Sequence, residues 1–383
     1  MSCLIIVNQK ISEWIKKGEI VENYFNPNKF FKKIIILSLV KDEVNKKSLY
    51  KLCGVNNTKF VIIDSFLTNK FFQLLIPNFI QIKILRKNFD KMKIKKIKLI
   101  RSIGDDFAGF YATLIAEKNN YPVFVSIHSF VNFYIFFFLM SFKEKIMYLL
   151  MFSYRQYSHR KATRIIIVYN YILNKINKVF HYKTVCIENL IPVQKIHTKN
   201  NYSIKEKCNL ICIGRLIKGK SPEIILKAIS KLKLVDLTII GDGPLEKKIK
   251  NMILNQNLKF KIKLIKSMKN VEILQILKNY DAFICFDSYY EFPKTIIEAI
   301  LIGLPIIANK KTLQQQLEFK NLKIFWCDEN VNSFKKTIKD LIENEMLRKT
   351  YSEHNTKIAW KLYSKDAIEK KVINLYQKTL VDI

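Results

Sequence analysis

A carboxylate within an otherwise apolar helix is the clearest chemical signal in this sequence. Residues 294–302 (KTIIEAILI) predict a helix that is apolar on nearly every side except at Glu298, and Gly303 stands where a helix stop is expected. Pro293 suits the first helical position, where its missing N–H costs nothing. Because an unpaired buried carboxylate is strongly unfavourable, we expect Glu298 either at a solvent edge or bound to a ligand at the carboxyl end of a parallel sheet.

Two cations follow a strand-like run that opens the second half of the chain. The run ends at Gly214, and Arg215 and Lys220 come soon after it. Ser221 and Pro222 then predict an N-cap and the first residue of a helix. The planar guanidinium and the point charge of the lysine suit a diphosphate group. A solvated basic turn, common in so basic a chain, is the alternative interpretation.

A histidine ends one of the strand-like runs of the first half. The run FVSIH predicts a buried strand with His128 at its carboxyl tip. A lone histidine is more often structural than functional, but the carboxyl end of a parallel strand favours a functional role. Arg101, Gly104 and Asp105, at the end of another predicted strand, are weaker candidates for the same edge.

Apolar, β-branched runs of strand length alternate with helix-length spacers along the chain. They lie at residues 4–7, 34–39, 60–64, 97–103, 124–128 and 165–169, and then at 210–216, 237–241, 262–265, 282–287, 305–308 and 324–327. Such alternation predicts two doubly wound α/β domains with parallel sheets, separated near the polar stretch 194–207. The tail from Asp366 predicts an amphipathic helix with one apolar face, formed by Ile368, Val372, Leu375 and Tyr376.

The composition favours anionic partners. Among 383 residues, Lys and Arg number 66 and Asp and Glu number 32, which gives a net charge of +34. Such a field attracts nucleotide diphosphates, anionic lipid surfaces and nucleic acids alike. The chain is also rich in the residues that an A/T-rich coding sequence supplies, so the charge selects no single partner.

The cysteines and the N-terminus predict a reducing, cytoplasmic location. The seven cysteines are an odd number without metal-type spacing, so we expect free thiols, no metal site and no cofactor. The chain begins with a strand-like run and lacks a signal-peptide pattern. The aromatic run Phe130–Phe142 is too short to span a membrane. It predicts either a core helix or a helix that lies on the inner face of the cytoplasmic membrane.

Two motifs of the second half resemble the donor site of the family-four retaining glycosyltransferases (glycosyl transferases group 1), which have the GT-B fold. The family pattern G-R-L-x-x-x-K matches Gly214, Arg215, Leu216 and Lys220. The pattern E-G-F-P-K-T-x-x-E-A matches Phe292–Thr295, Glu298 and Ala299. The first glutamate of that pattern falls on Tyr290 and its glycine on Glu291, so six residues rather than seven separate Glu291 from Glu298.

The resemblance implies a role for each matched residue. Arg215 and Lys220 would hold the donor diphosphate, helped by the amides around Lys294 and Thr295 that follow Pro293, and Glu298 would bind the ribose hydroxyls. His128 corresponds to a histidine of the interlobe cleft, and Asn189 resembles an asparagine at the edge of that cleft. Glu291 would supply the carboxylate that holds the donor sugar, unless that carboxylate has been lost at Tyr290.

The sequence therefore predicts an α/β protein of the GT-B type, with two Rossmann-like lobes and a cleft between them. Residues 1–200 would bind the acceptor, 205–365 the nucleotide-sugar donor, and 366–383 would form a crossover helix that returns to the first lobe. We expect a UDP- or GDP-linked donor and a glycan or lipid-linked acceptor, with retention, in cell-envelope polysaccharide or lipopolysaccharide synthesis. The alternative is a catalytically degenerate GT-B protein that acts as a basic nucleic-acid- or membrane-binding module.

Overall fold

The computed structural model describes residues 1–18, 21–63, 80, 83–84, 87, 89–90, 96–128, 142–191, 198–220, 222–288 and 293–381. The chain divides into two compact units. The first contains Met1–Leu190 and Ile368–Ile383, and the second contains Ile191–Ala367.

A parallel sheet forms the centre of the first unit. In the described residues its seven strands lie in the order β3-β2-β1-β4-β5-β6-β7. They are β1 (Ser2–Val7), β2 (Lys33–Ser38), β3 (Thr58–Ile62), β4 (Ile97–Ile103), β5 (Val123–Ile127), β6 (Arg164–Ile167) and β7 (Thr184–Cys186). Every residue of β1 is buried, as expected for a central strand covered on both faces.

Helices cover the two faces of this sheet. In the described residues they are α1 (Ile11–Lys17), α2 (Lys46–Cys53), α3 (Phe107–Asn119) and α4 (Phe142–Lys161), with 3₁₀ helices at Pro27–Lys29, Asn170–Lys175 and Lys178–Lys183. Alternate residues of β1 point to opposite faces. Leu4 and Ile6 pack with the nearly continuous apolar surface of α3, whereas Cys3, Ile5 and Val7 belong to the core on the other face.

A second parallel sheet forms the centre of the second unit. Its described strands lie in the order β10-β9-β8-β11-β12-β13. They are β8 (Cys208–Ile213), β9 (Val235–Ile240), β10 (Ile262–Ile265), β11 (Ala282–Cys285), β12 (Ile306–Asn309) and β13 (Phe325–Cys327). The strand order reverses between β8 and β11, and such a switch point is where open α/β sheets bind ligands.

The helices of the second unit follow its strands. They are α5 (Glu223–Ile229), α6 (Glu246–Asn255), α7 (Asn270–Leu277), α8 (Lys294–Ile302), α9 (Lys310–Leu313), α10 (Val331–Glu343) and α11 (Glu345–Tyr363), with a 3₁₀ helix at Leu317–Phe319. Helix α8 ends at Gly303, whose φ of 95° is left-handed and therefore favours glycine. Thr356 and Trp360 of α11 donate hydrogen bonds to carbonyls of α8, so α8 is held between α11 and the sheet.

The last helix, α12 (Lys365–Val381), packs on the first unit. The apolar face predicted for the tail, Ile368, Val372, Leu375 and Tyr376, is buried in the same core as Ile5 and Phe124. Arg101 donates a hydrogen bond to the Tyr376 hydroxyl (3.2 Å), and Lys371 forms an ion pair with Glu188 (2.6 Å). The amphipathic pattern thus places α12 correctly.

The structure corrects details of the sequence prediction. Pro293 and Pro222 are not the first helical residues but precede α8 and α5 by one position. Strand β7 extends only over Thr184–Cys186 and was not among the predicted runs. Within the described residues, no helix is long and apolar enough to cross a membrane.

Candidate active site

The carboxyl edge of the second sheet carries a buried acidic side chain. Glu298, in the second turn of α8, is only 1% exposed, so its predicted alternative place at a solvent edge is wrong. Its Oε1 accepts a hydrogen bond from the Asn270 Nδ2 (2.9 Å) and lies 3.7 Å from the Lys294 Nζ. Asn270 begins α7, so contacts from two helices fix the carboxylate in place.

The start of α8 faces the end of β8. The Thr295 Oγ1 lies 3.5 Å from the carbonyl oxygen of Ile213, the last residue of β8. Pro293 is extended, with φ −60° and ψ 129°, and its carbonyl accepts the first helical hydrogen bond, from Ile296 (3.0 Å). Among the described residues, the amides of Lys294 and Thr295 have no acceptor. Free first-turn amides of this kind attract anions.

The turn after β8 holds the predicted cations next to a close backbone contact. Gly214 donates to the carbonyl of Ile240 (3.0 Å), and a Cβ on Gly241 would clash with the Gly214 carbonyl oxygen. Arg215 follows in this turn with an exposed side chain, and it makes no ion pair within the described part of the chain. The guanidinium is therefore available to an anionic ligand.

Lys220 has an acidic partner that the sequence interpretation did not include. Its Nζ lies 3.3 Å from the Asp287 Oδ2, in the loop that follows β11. Asn309, at the end of β12, exchanges two hydrogen bonds with the backbone of Asp287. Asp287, Asn309 and Asn270 were all missed as candidates. A usable signal existed, because Asp287 ends one predicted strand and Asn309 directly follows another.

In the first unit, His128 and Asn189 lie in contact. The His128 Nδ1–H donates to the Asn189 Oδ1 (2.9 Å), which leaves Nε2 as an acceptor. That Nε2 is shielded from solvent and has no hydrogen-bond partner among the described residues. Burial, with a contribution from the charge of Arg101, lowers the pKa of His128 to about 4. The imidazole is therefore neutral at pH 7 and can accept a hydrogen bond from a hydroxyl.

Among the weaker candidates that were predicted near His128, Arg101 lies close to it, whereas Asp105 contacts other residues. Arg101 is buried and donates to Ser126 and Tyr376 (both 3.2 Å). Asp105 instead accepts a hydrogen bond from His159 of α4 (3.0 Å) and lies 3.6 Å from Arg155. Burial opposes the charged form of Asp105, but these two partners outweigh it and hold the pKa of the carboxyl below its usual range. Asp105 thus anchors α4.

Some predicted features lie outside the described residues. They are Ser221, Tyr290, Glu291, Phe292 and the aromatic run Phe130–Phe142 except for its last residue. Within the described part of the chain, no group of three or more His, Cys, Asp or Glu side chains could hold a metal ion.

Related sequences belong to glycosyltransferases. The model of the family described as glycosyl transferases group 1 matches residues 194–358. An uncharacterized glycosyltransferase of Methanocaldococcus jannaschii is 23% identical over 207 residues, which cover 54% of this chain and 57% of that protein. The N-acetylgalactosamine-N,N'-diacetylbacillosaminyl-diphospho-undecaprenol 4-alpha-N-acetylgalactosaminyltransferase of Campylobacter jejuni is 25% identical over 191 residues, 48% of this chain and 51% of that protein. The chain thus matches about half the length of these curated relatives.

The similarity of fold extends over the whole chain. Anabaena HepE, solved in complex with UDP, superimposes with a TM-score of 0.71 at 13% sequence identity, covering 99% of this chain and 100% of that chain. The chain has the GT-B fold. This confirms the fold class predicted from the two series of strands and the donor-like motifs.

Proposed function

We propose that the chain is a glycosyltransferase whose second unit binds a nucleoside-diphosphate sugar. The observation that carries the proposal is the buried Glu298 carboxylate, fixed by Asn270 and Lys294 at the sheet edge where Arg215 is exposed. A fixed carboxylate accepts hydrogen bonds from ribose hydroxyls, and a guanidinium binds a diphosphate. The match to glycosyl transferases group 1 covers all of these residues.

The donor-binding residues have complementary roles in this proposal. Glu298 binds the ribose, whereas Arg215, Lys220 and the amides of Lys294 and Thr295 bind the diphosphate. The negative charge on the leaving diphosphate increases in the transition state, so contacts to it lower the barrier. Cationic side chains rather than a metal meet this charge, and the donor is UDP- or GDP-linked. The complex of HepE with UDP favours UDP.

We further propose that transfer proceeds with retention at the sugar carbon. Glu291 holds the donor sugar, because its side chain can recover an offset of one residue in the loop before α8, whereas Tyr290 carries no carboxylate. His128, in the first unit, offers its neutral Nε2 as a hydrogen-bond acceptor. NMR of the product anomer tests retention, since an inverted anomeric configuration would contradict it.

The acceptor in this proposal is a glycan or lipid-linked sugar of cell-envelope polysaccharide or lipopolysaccharide synthesis. The Campylobacter relative is named for a diphospho-undecaprenol-linked acceptor. Four large apolar side chains of α4 support a contact with the cytoplasmic face of the membrane. They recur every three or four residues and are exposed. They are Phe142 (79% exposed), Ile146 (42%), Leu149 (60%) and Phe152 (53%). Such a helix, on a chain of net charge +34, suits an anionic lipid surface.

Flotation with anionic liposomes tests the membrane contact. We expect the wild type to co-float at low salt and the double variant Ile146→Asp/Leu149→Asp to stay at the bottom. The matched control, Leu234→Asp/Leu254→Asp, changes two exposed leucines of the second unit and should float like the wild type. Equal flotation of both double variants would refute a role for α4.

Release of nucleoside diphosphate from a panel of UDP- and GDP-sugars tests the enzymatic activity. We expect release from at least one donor, reduced roughly ten-fold or more by Arg215→Ala because a charge-assisted contact is lost. Lys227→Ala, which removes an exposed lysine of α5, is the control and should not change the rate. If no donor is turned over while DNA binds with a steep salt dependence, the non-enzymatic alternative is correct.

A further inference from the structure

The two side chains of the ion pair between Lys220 and Asp287 differ in their exposure to solvent. The Lys220 Nζ and the Asp287 Oδ2 are 3.3 Å apart, but the lysine side chain is 22% exposed and the aspartate side chain only 4%. A buried carboxylate needs a counter-charge, since it is costly to leave it unpaired. Losing this ion pair therefore costs more free energy at the buried carboxylate than at the partly exposed ammonium group.

The main chain at Asp287 is held by contacts that do not involve Lys220. Its N–H donates to the Asn309 Oδ1 (2.7 Å) and its carbonyl accepts from the Asn309 Nδ2 (2.9 Å). Asn309 is fully buried and also donates to Glu329 (3.0 Å). The next residue, Ser288, donates its N–H to the Gly219 carbonyl (2.7 Å). These contacts hold the main chain at residues 287 and 288 without Lys220, so Asp287 remains at this edge of the sheet when Lys220 moves.

Lys220, by contrast, can change partner. It lies in the turn between β8 and α5, and its four-carbon side chain rotates at little cost where it reaches solvent. A diphosphate close enough to bind Lys220 also lies within a few Å of Asp287, and two like charges at that distance repel each other. The anionic ligand and Asp287 therefore compete for one cation.

We propose that Asp287 is a built-in counter-anion that weakens diphosphate binding and thereby promotes product release. Before the donor arrives, Asp287 holds Lys220 near the diphosphate position. After transfer, the return of Lys220 to Asp287 and the repulsion between Asp287 and the product help the nucleoside diphosphate to leave. This inference rests on the proposed function, because it requires a diphosphate at Lys220. It makes Asp287 a positioning residue and not a catalytic one.

Calorimetric titration of Asp287→Asn with UDP and with uridine tests the proposal. We expect UDP to bind roughly five- to fifty-fold more tightly than to the wild type, because a nearby like charge is removed. Uridine, which has no phosphate, should bind both proteins equally. Stopped-flow displacement should show slower dissociation of UDP from the variant by a similar factor. Asp287→Ser, with a shorter neutral side chain, should shift the affinity in the same direction if Asp287→Asn does not fold.

Asp281→Asn is the matched control. Asp281 precedes β11 at its amino end and also pairs with a lysine, Lys199 (3.8 Å), but at the opposite edge of the sheet. This variant should bind UDP like the wild type. Equal or weaker UDP binding by a folded Asp287 variant would overturn the proposal. If the wild type bound no nucleoside diphosphate at all, the proposed function would fail along with this inference.

Discussion

Replacing Glu298 by glutamine should separate ligand binding from folding. The change keeps the shape of the side chain and an oxygen that can accept from Asn270, and it removes only the negative charge. In the free protein this weakens the contact with Lys294, whose Nζ is 3.7 Å away on a side chain that is 26% exposed. Because the lysine end of this pair reaches solvent and the Asn270 contact can remain, we expect a change in the free energy of unfolding of about 1 kcal/mol.

The expected loss in ligand affinity is larger. Hydrogen bonds to an ionised group contribute about 1.5–3 kcal/mol, against about 0.5–1.5 kcal/mol for neutral pairs. If the carboxylate accepts hydrogen bonds from the two ribose hydroxyls, as we propose, Glu298→Gln should cost about 1–3 kcal/mol, which raises the Kd of UDP roughly five- to 150-fold.

Calorimetry with UDP and urea unfolding, applied to the same preparations, measure both quantities. Glu353→Gln is the control, because Glu353 forms an exposed pair with Lys349 (4.0 Å) on α11. An unchanged Kd in a folded Glu298→Gln variant would refute the assignment of Glu298 to the ribose. A loss of stability above about 3 kcal/mol would show that the carboxylate is structural.

Three further predictions concern a titrating group, a backbone contact and the displaced glutamate. The lowered pKa of His128, about 4, means that the unfolded chain binds more protons than the folded one between pH 4 and 6.5. The free energy of unfolding should therefore fall as the pH drops through this range, and His128→Gln should reduce the fall measured by urea unfolding. Gly241→Ala should destabilise the protein by about 1–3 kcal/mol and weaken UDP binding, because its Cβ would push on the Gly214 carbonyl. In the same unfolding assay Gly214→Ala should keep the stability of the wild type, since its Cβ would meet nothing within 4 Å. Glu291→Gln should reduce turnover roughly ten- to a hundred-fold with UDP affinity unchanged, whereas a damaging Tyr290→Phe beside a silent Glu291→Gln would contradict our placement of the sugar-binding carboxylate.

The bounds of strands and helices could be predicted where the local sequence pattern determines them. Ile97–Ile103 and Ile262–Ile265 have the predicted bounds because each is a stretch of strand length, rich in β-branched apolar residues and flanked by polar ones. Helix α8 also has its predicted bounds, since Gly303 ends it. Strand β7 was not predicted, because it is only three residues long and half-buried.

The site was predictable only in part. Arg215 and Glu298 stand out because a charge at the end of a strand or in an apolar helix is unusual by itself. The roles of Asn270 and Asp287 depend on contacts with residues 28 and 22 positions away, Glu298 and Asn309, and these pairs meet only when the helices and strands of the second unit are assembled. The strand-end positions of Asp287 and Asn309 predict that both lie at one edge of the sheet, but no local pattern shows which residues they contact.

The most direct test of the central claim is to measure the equilibrium binding of UDP, GDP and uridine to the wild-type chain by calorimetry. If the second unit binds a donor through its ribose and diphosphate, at least one of the two diphosphates should bind. UDP should then bind at least about ten-fold more tightly than uridine, since charge-assisted contacts to the diphosphate contribute about 1.5–3 kcal/mol. Binding of neither diphosphate would contradict a nucleotide-sugar site at Arg215 and Glu298, and so would measurable UDP binding that is no tighter than uridine binding in the absence of GDP binding.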